Sequence, residues 1–268
     1  MNEIMVFGAS TACFHGQYDT EVSLELLAKS GIKTCEIFLE SYSEYTPEFG
    51  LKLAEIKSKY NLNINSIHAY VLHFESQLWR GTDRQMRDAE QLFRSILSIG
   101  KMLDARIYVM HGVANVKQNP FMPDISHTAQ RYAELTKIAD EYDLVLSIEN
   151  VKWCMYSRPG LITQLNEKGM HPKCTLDIKQ AKLSGHSYEE YLADMQSSIV
   201  NVHLSDYDQW GKLCLPGKGE LDFTQVLSQI ISTGFDGNMI CEVYRHNFDG
   251  ISDILHAIDY LYGCYSKV

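Results

Sequence analysis

The sequence lacks the features expected of a membrane-spanning, secreted or nucleic-acid-binding protein. No uncharged apolar stretch approaches the roughly 18 residues that a membrane span requires. The first residues, MNEIMVFGAS, contain no basic segment followed by a long apolar core, so we expect no signal peptide. The formal net charge is -10 and the basic residues are dispersed, which disfavours binding to a phosphate backbone.

Paired cysteine motifs are missing as well. The seven cysteines are an odd number and include no Cys-x-x-Cys pair. Four of them stand in apolar runs, where a free thiol behaves as a small buried hydrophobic group: Cys35, Cys174, Cys241 and Cys264. We therefore expect a reducing, cytoplasmic environment rather than a disulfide scaffold.

Nucleotide-binding loops and domain linkers are also absent from the sequence. Neither G-x-G-x-x-G nor G-x-x-x-x-G-K-[ST] occurs, so a nucleotide-phosphate loop is not supported. Only six prolines are present, and no Pro/Gly/Ser-rich segment interrupts the chain. The sequence predicts a single domain over residues 1–268.

What the sequence does contain is an alternation of short apolar runs and longer amphipathic segments. The apolar runs predict eight strands, at residues 4–9, 34–39, 64–69, 106–111, 145–149, 174–177, 199–204 and 239–243. The amphipathic segments predict helices, among them residues 21–29, 82–103, 124–142, 223–233 and 251–262. Near-continuous apolar strands are typical of a parallel sheet covered by helices. Eight such units in 268 residues favour an α/β fold of the (β/α)₈ TIM barrel type, which needs ~250 residues, over an open doubly wound sheet.

Four consecutive predicted strands end in a residue that can bind a metal ion. The fragments are LVLSIEN with Glu149, CTLDI with Asp177, VNVHLSD with His203 and ICEVY with Glu242. The C-terminal strand ends of a barrel converge on one mouth, so these side chains should meet there. Three carboxylates would repel one another, and one divalent ion of Mn, Mg, Co or Zn would remove that repulsion. The alternative is that each is an ordinary hydrogen-bonded residue at a strand end.

Other polar residues are expected at the same mouth. His68 and His111 end the third and fourth strands, where they can bind substrate, support a metal-bound carboxylate, hold a second ion or serve as structural histidines. Glu36, on the second strand, is expected to point inward, and His15 and His73 are weaker candidates in loops.

Substrate-binding residues are expected in the loops above the strands. Of five basic residues near the mouth, Lys218 and Arg245 are the best candidates for binding a substrate phosphate or carboxylate, with solvated surface charge as the alternative. The other three are Lys152, Arg158 and Lys179. Aromatic rings in these loops can stack on a sugar or pack within the loops: Phe14, Tyr70, Trp153, Tyr156 and Trp210.

In order and spacing, these fragments resemble the xylose-isomerase-like barrel superfamily. The resemblance covers nearly the whole chain through IHAY, VMHG, SIEN, LDIKQA, VHLSD, PGKGELDF and CEVY. That superfamily includes sugar-phosphate isomerases and epimerases, ketohexose 3-epimerases, hydroxypyruvate isomerases, inosose dehydratases and endonuclease IV enzymes. The resemblance implies a metal ion bound by Glu149, Asp177, His203 and Glu242. In the epimerase branch, it implies that the two glutamates also act as the acid and base.

Two departures from the family patterns narrow this resemblance. The endonuclease branch needs a histidine three residues after the strand-six aspartate, where this chain has Gln180, and an Asp-x-His pair in the loop after His203, which is missing. A complete three-metal cluster is therefore not expected. Ketohexose 3-epimerases usually carry a histidine at the position of Gln180 and an arginine at the position of Gln209. Gln180 can still hydrogen-bond a sugar hydroxyl.

The sequence therefore predicts a metal-dependent isomerase or epimerase of a sugar or sugar phosphate, acting by proton transfer through a metal-stabilised enediolate. Glu149 and Glu242 are expected to be the acid and base, and Asp177 and His203 chiefly to fix the ion. The alternatives are an inosose-type dehydratase, an endonuclease-IV-like metal phosphodiesterase and a non-catalytic sugar-binding barrel. The expected partner is a small carbohydrate, without nucleic acid or membrane, and a homo-oligomer is compatible with the sequence.

Overall fold

Eight parallel strands close into a barrel in the computed structural model, which describes residues 5–70, 72–114 and 124–268. The barrel strands are β1 (Phe7–Ser10), β2 (Thr34–Leu39), β3 (Asn63–Ala69), β4 (Ile107–Met110), β5 (Val145–Glu149), β6 (Lys173–Asp177), β7 (Ile199–Leu204) and β10 (Met239–Cys241). Around the barrel they follow the order β1, β10, β7, β6, β5, β4, β3, β2, and β2 pairs with β1 to close it. The predicted (β/α)₈ barrel is confirmed.

Helices connect the strands and cover the outside of the barrel. They are α1 (Thr20–Lys29), α2 (Pro47–Tyr60), α3 (Glu75–Trp79), α4 (Asp83–Met102), α5 (Ile125–Asp140), α6 (Leu161–Glu167), α7 (Ile178–Leu183), α8 (Tyr188–Met195), α9 (Phe223–Ser232) and α10 (Ile251–Tyr265). An antiparallel hairpin of β8 (Asp206–Tyr207) and β9 (Leu213–Cys214) follows β7. Within the described ranges, the helices are all too short or too polar to cross a membrane.

The predicted strand bounds agree closely with the observed ones. The strands at 34–39, 145–149 and 199–204 match to the residue, and the predicted strand at 239–243 ends two residues too late. The prediction for residues 4–9 begins at Ile4, which lies outside the described residues. The β8–β9 hairpin was not predicted, because its two-residue strands are too short to produce a periodic pattern.

Local sequence accounts for where the helices begin. The Thr82 hydroxyl accepts a hydrogen bond from the Gln85 backbone N–H, and the Gln85 side chain accepts one from the Thr82 N–H, which forms a capping box before α4. Pro47 occupies the first turn of α2 after the Thr46 cap, where a missing N–H costs nothing. These caps satisfy backbone groups that a helix end leaves unpaired, and they fix where each helix leaves the preceding loop.

The barrel interior is more polar than the apolar strand pattern predicts. Asn65 on β3 donates a hydrogen bond of 3.0 Å to Asn201 on β7, and these strands are not neighbours, so the bond crosses the interior. Ser147 and Thr175 share a hydrogen bond of 2.7 Å on the adjacent strands β5 and β6. Because these groups satisfy one another, they can be buried at little cost. They form a polar layer inside the barrel.

Candidate metal centre

Glu149, Asp177, His203 and Glu242 meet at the C-terminal mouth of the barrel, and one ligand atom from each lies within 4.8 Å of all the others. Nδ1 of His203 is 3.0 Å from Oε1 of Glu149 and 2.6 Å from Oε2 of Glu242. The same nitrogen is 3.5 Å from Oδ2 of Asp177. The structure therefore brings all four predicted ligands together around one point.

The barrel topology accounts for this convergence. The four residues belong to β5, β6, β7 and the residue after β10, which are consecutive strands in the barrel order. Asp177 and His203 are also register partners, so their side chains start at the same height. Glu149 and Glu242 consequently flank the pair from its two sides.

The donor set fits a divalent cation. Oδ2 of Asp177 and Oε2 of Glu242 are buried, and neither makes a hydrogen bond of suitable geometry with the described residues, although Lys179 and His203 lie 3.2 Å and 2.6 Å from them. Together with Glu149 and Glu36, these two acidic residues bring four carboxylates to the mouth. Among the residues that the structure describes, Lys179 is the one ammonium that contacts the ligands. Buried carboxylate oxygens without such hydrogen bonds are costly, and a bound cation would remove that cost. Three carboxylates and one imidazole suit Mn²⁺, Mg²⁺, Co²⁺ or Zn²⁺.

Glu36 orients the imidazole of His203. Its Oε2 lies 2.9 Å from Nε2 of His203 and also accepts a hydrogen bond of 2.6 Å from the Ser66 hydroxyl. When Nε2–H donates a hydrogen bond to Glu36, Nδ1 keeps its lone pair and can bind a metal ion. Burial raises the pKa of Glu36, but His203 and His68 beside it hold that pKa well below its usual range. Glu36 points inward as predicted.

Lys179 contacts two of the four ligands, a position that the sequence did not reveal. Its Nζ is 2.8 Å from Oε1 of Glu242 and 3.2 Å from Oδ2 of Asp177, and only 2% of the side chain is exposed. Burial lowers the pKa of Lys179, but the carboxylates of Asp177 and Glu242 raise it well above its ordinary value. For the acid Glu242 the signs are reversed. Burial raises its pKa, but Lys179 and His203 bring that pKa below the ordinary value.

His111 occupies the corresponding position beside Glu149. Its Nε2 is 3.3 Å from Oε2 of Glu149, and its Nδ1 is 3.3 Å from Oε2 of Glu75. Glu75 is fully buried in α3 and also accepts hydrogen bonds from the Tyr108 hydroxyl and the backbone N–H groups of His111 and Gly112. Burial lowers the pKa of His111, but Glu75 and Glu149 raise it to about 9. Burial also raises the pKa of Glu149.

A cavity opens above the centre and encloses about 650 Å³, counting the part open to solvent. This volume suits a small molecule rather than a polymer. Glu149 and Glu242 line it, whereas Asp177 and His203 are absent from its lining and buried. The other lining residues are Ala12, His15, Phe38, His68, Tyr70, His111, Val151, Trp153, Lys179, Gln180 and Tyr244.

Three of the five predicted substrate-binding residues line this cavity: His68, His111 and Gln180. Nδ1 of His68 is buried without a hydrogen-bond partner among the described residues, and Nε2 lies 3.3 Å from Oε1 of Glu36. The Gln180 side-chain oxygen accepts a hydrogen bond of 3.2 Å from the Lys152 backbone N–H, so it also holds the β5 loop.

The other two predicted substrate-binding residues, Lys218 and Arg245, are not part of the cavity lining. Lys218 is exposed. Arg245 donates to the backbone carbonyls of Phe248 and Asp249.

Aromatic residues form one part of the cavity lining. Of the five that the sequence suggested, Tyr70 and Trp153 line the cavity, whereas Phe14 and Tyr156 are buried in the core and Trp210 is 82% exposed. Phe38 and Tyr244 also line it and were not foreseen, because each lies on or beside a strand rather than in a long loop.

Comparison with known proteins agrees with this architecture. Residues 24–264 match the family model described as xylose isomerase-like TIM barrel. No curated protein matches the chain. A D-tagatose 3-epimerase-like protein superposes with a TM-score of 0.78 at 19% identity, covering 98% of each chain. A D-psicose 3-epimerase from Clostridium cellulolyticum H10, solved with D-tagatose, gives 0.73 at 14% identity, covering 98% of this chain and 97% of that one. The IOLI protein, solved with a zinc atom, gives 0.73 at 17% identity with the same coverage.

Proposed function

Since the chain belongs to the xylose isomerase-like TIM barrel family, we propose that it is a metal-dependent isomerase or epimerase of a small carbohydrate. The observation that carries this proposal is that only two of the four ligands line the cavity. Glu149 and Glu242 line the cavity, whereas Asp177 and His203 lie buried outside its lining. The two glutamates can therefore reach a substrate while all four residues hold the ion.

A divalent cation held by these residues would supply Lewis-acid polarisation of a substrate carbonyl, which makes the adjacent C–H more acidic. Glu149 and Glu242 then exchange the proton with the substrate carbon. The second carboxylate oxygen of each contacts a basic side chain: His111 at 3.3 Å for Glu149, and Lys179 at 2.8 Å for Glu242. When one glutamate removes the proton and the other, protonated beforehand, delivers a different proton to the opposite face, the result is epimerisation. Return of the proton by the same glutamate to the neighbouring carbon gives isomerisation.

The charges around the cavity favour an unphosphorylated substrate. Among the described residues that line it, Lys179 is the only lysine or arginine, and it already contacts two carboxylates. His15 pairs with Glu40 at 2.9 Å, and His111 lies between two glutamates. A phosphate dianion would gain little from cations that are already paired.

The lining also offers apolar surface to a sugar. Rings from Phe38, Tyr70, Trp153 and Tyr244 face the cavity, and aromatic rings of this kind pack against the C–H faces of sugars. The similar structures include proteins named for epimerisation of D-tagatose and D-psicose. We therefore propose a ketose or related keto sugar without phosphate as the substrate class.

Solvent deuterium exchange tests this function directly. Metal-loaded protein is incubated in D₂O with ketoses, their phosphates and inososes, and deuterium at carbon is followed by NMR and mass spectrometry. Glu149→Gln and Glu242→Gln should each lower exchange by about 10²–10⁴-fold, because each removes a proton acceptor. Glu220→Gln changes an exposed glutamate that is not in the cavity lining and serves as the matched control.

The outcomes of this screen separate the alternatives. A deuterated product with the same elemental composition as the substrate, apart from the deuterium, supports an isomerase or epimerase. A product that has lost one water molecule relative to the substrate identifies a dehydratase. Unchanged exchange in both glutamine variants would exclude the assigned roles. Exchange that requires a phosphorylated sugar would overturn the proposed substrate class and leave the acid–base assignment standing.

We further propose a cytoplasmic location. All seven cysteines are free thiols and six of them are buried. Proteins with many unpaired thiols are typical of reducing compartments. Cell fractionation with antibody detection checks this, and recovery of the protein from a secreted fraction would contradict it.

A further inference from the structure

Lys179 bridges two ligands of the proposed metal centre. Its Nζ is 3.2 Å from Oδ2 of Asp177 on β6 and 2.8 Å from Oε1 of Glu242 after β10. Both carboxylates also approach Nδ1 of His203, at 3.5 Å and 2.6 Å. The ammonium thus lies next to the point where the first ion would bind and shares two of its ligands.

Two features hold the ammonium in this position. Lys179 follows Asp177 by two residues in the first turn of α7, and Oδ1 of Asp177 accepts a hydrogen bond of 2.7 Å from the Gln180 N–H, which fixes that turn. The Nζ also lies 5.0 Å from the centre of the Tyr244 ring, and the side chain is 2% exposed. An enclosed side chain with contacts on several sides has little freedom to swing away.

A second metal ion would need the same oxygens. In two-metal centres, carboxylates are shared between ions that are about 3.5–4 Å apart. Asp177 and Glu242 are likewise shared here, between the Lys179 ammonium and the point beside His203 where the first ion would bind. Gln180, the next residue, supplies a neutral amide oxygen that accepts the Lys152 N–H at 3.2 Å, rather than the carboxylate or imidazole that a second ion would favour. The positive charge of Lys179 would also repel a cation that came within about 4 Å of its Nζ.

We propose that the Lys179 ammonium occupies the place of a second cation and keeps the centre mononuclear. This inference rests on the metal centre of the proposed function. It gives Lys179 a positioning role, because it acts on the ligands and on ion number rather than on substrate. Charge, more than side-chain shape, should determine the number of ions bound.

Metal stoichiometry tests this inference without an activity assay. Metal-stripped wild type, Lys179→Gln, Lys179→Met and Lys179→Arg are dialysed against rising Mn²⁺ up to millimolar concentration. Bound metal per chain is measured by plasma mass spectrometry, and Mn–Mn coupling by electron paramagnetic resonance. Lys182→Gln is the matched control, because Lys182 is an exposed lysine of the same helix that lies 4.1 Å from the Tyr207 ring. Thermal unfolding in Mn²⁺ verifies that each variant is folded.

We expect one ion per chain in wild type, Lys179→Arg and Lys182→Gln. Each folded neutral variant, Lys179→Gln or Lys179→Met, should bind a second ion and show a coupled Mn–Mn signal. Two ions in wild type, or one ion in the folded neutral variants, would overturn this inference alone. No ion in wild type would overturn it together with the proposed metal-dependent function.

Discussion

Nε2 of His203 lies 2.9 Å from Oε2 of Glu36, on the side of the ring that faces away from the three carboxylates of the centre. The contact links β7 to β2 across the barrel interior. It fixes which ring nitrogen carries the proton, and therefore which one can bind a metal ion. The proposed metal centre thus depends on a residue that is outside its ligand set.

Replacing Glu36 with glutamine should weaken metal binding by about 10–100-fold. The amide can donate to Nε2, which favours the His203 tautomer with its proton on Nδ1 and removes the lone pair from the centre. Competition with a chelating dye measures the affinity. Asp194→Asn is the control, because Asp194 is a buried carboxylate that accepts hydrogen bonds from Tyr156 and Thr163, which lie outside the centre. That variant should lose thermal stability and keep its metal affinity. Equal affinity in Glu36→Gln and wild type would contradict the role of Glu36.

Removing the metal should lower the stability of the protein. Glu149, Asp177 and Glu242 are buried together around His203, so the apo state retains carboxylates that repel one another. An ion present at 100 times its dissociation constant adds about 2.7 kcal/mol to the free energy of unfolding. Calorimetry of chelated and metal-loaded samples should show a lower melting temperature for the chelated protein. Identical melting temperatures at saturating Mn²⁺, Mg²⁺, Co²⁺ and Zn²⁺ would argue against a metal centre.

The barrel and its ligand cluster were accessible from sequence for one physical reason. Parallel strands of a barrel all end at the same mouth, so a residue at a strand end has a position that does not depend on its loop. Glu149 and Asp177 end β5 and β6, and their meeting followed from strand assignment alone. The same logic applied to Glu36, whose strand was predicted to the residue.

Residues beyond the strand ends were harder to place because their positions depend on the path of the chain. Glu75 belongs to α3, and only its tertiary packing brings it to His111. Lys179 looked like any basic residue near the mouth, since nothing in LDIKQA indicates that its side chain turns toward Glu242. Conversely, Arg245 follows Glu242 by three residues but donates to loop carbonyls instead of facing the cavity.

The stability of the metal-free protein should fall as the pH rises from about 6.5 to 9. Burial lowers the pKa of His111, but Glu75 and Glu149 raise it to about 9 in the folded state, above the unfolded value of about 6.5. His111 therefore makes its full contribution to the free energy of unfolding below the unfolded pKa, and this contribution is lost as the pH rises through the folded pKa. It amounts to about 3 kcal/mol.

Urea unfolding in the presence of a chelator, at pH 6, 7.5 and 9.5, measures this dependence. His111→Gln should reduce this dependence, and His203 should retain a share of it, because burial lowers the pKa of His203 but Glu36 and Glu242 raise it well above its ordinary value. His186→Gln is the control, because His186 is a surface residue beside Glu190 at 3.1 Å. A wild-type stability that rises over this range, or an unchanged slope in His111→Gln, would show that His111 is not the group responsible.

Trp153 should contribute to sugar binding, whereas Trp210 should not. Trp153 lines the cavity and is 39% exposed, so one face of its ring is available to a sugar. Trp210 is 82% exposed in the turn between β8 and β9 and is absent from the cavity lining. Losing a stacking contact costs about 1–1.5 kcal/mol, which corresponds to a KM increase of about fivefold to tenfold for Trp153→Ala. Because stacking holds substrate and transition state alike, kcat should change little.

Steady-state kinetics on the substrate found by deuterium exchange measure both constants, with Trp210→Ala as the control. A drop in kcat at constant KM in Trp153→Ala would instead place this ring close to the reacting carbon.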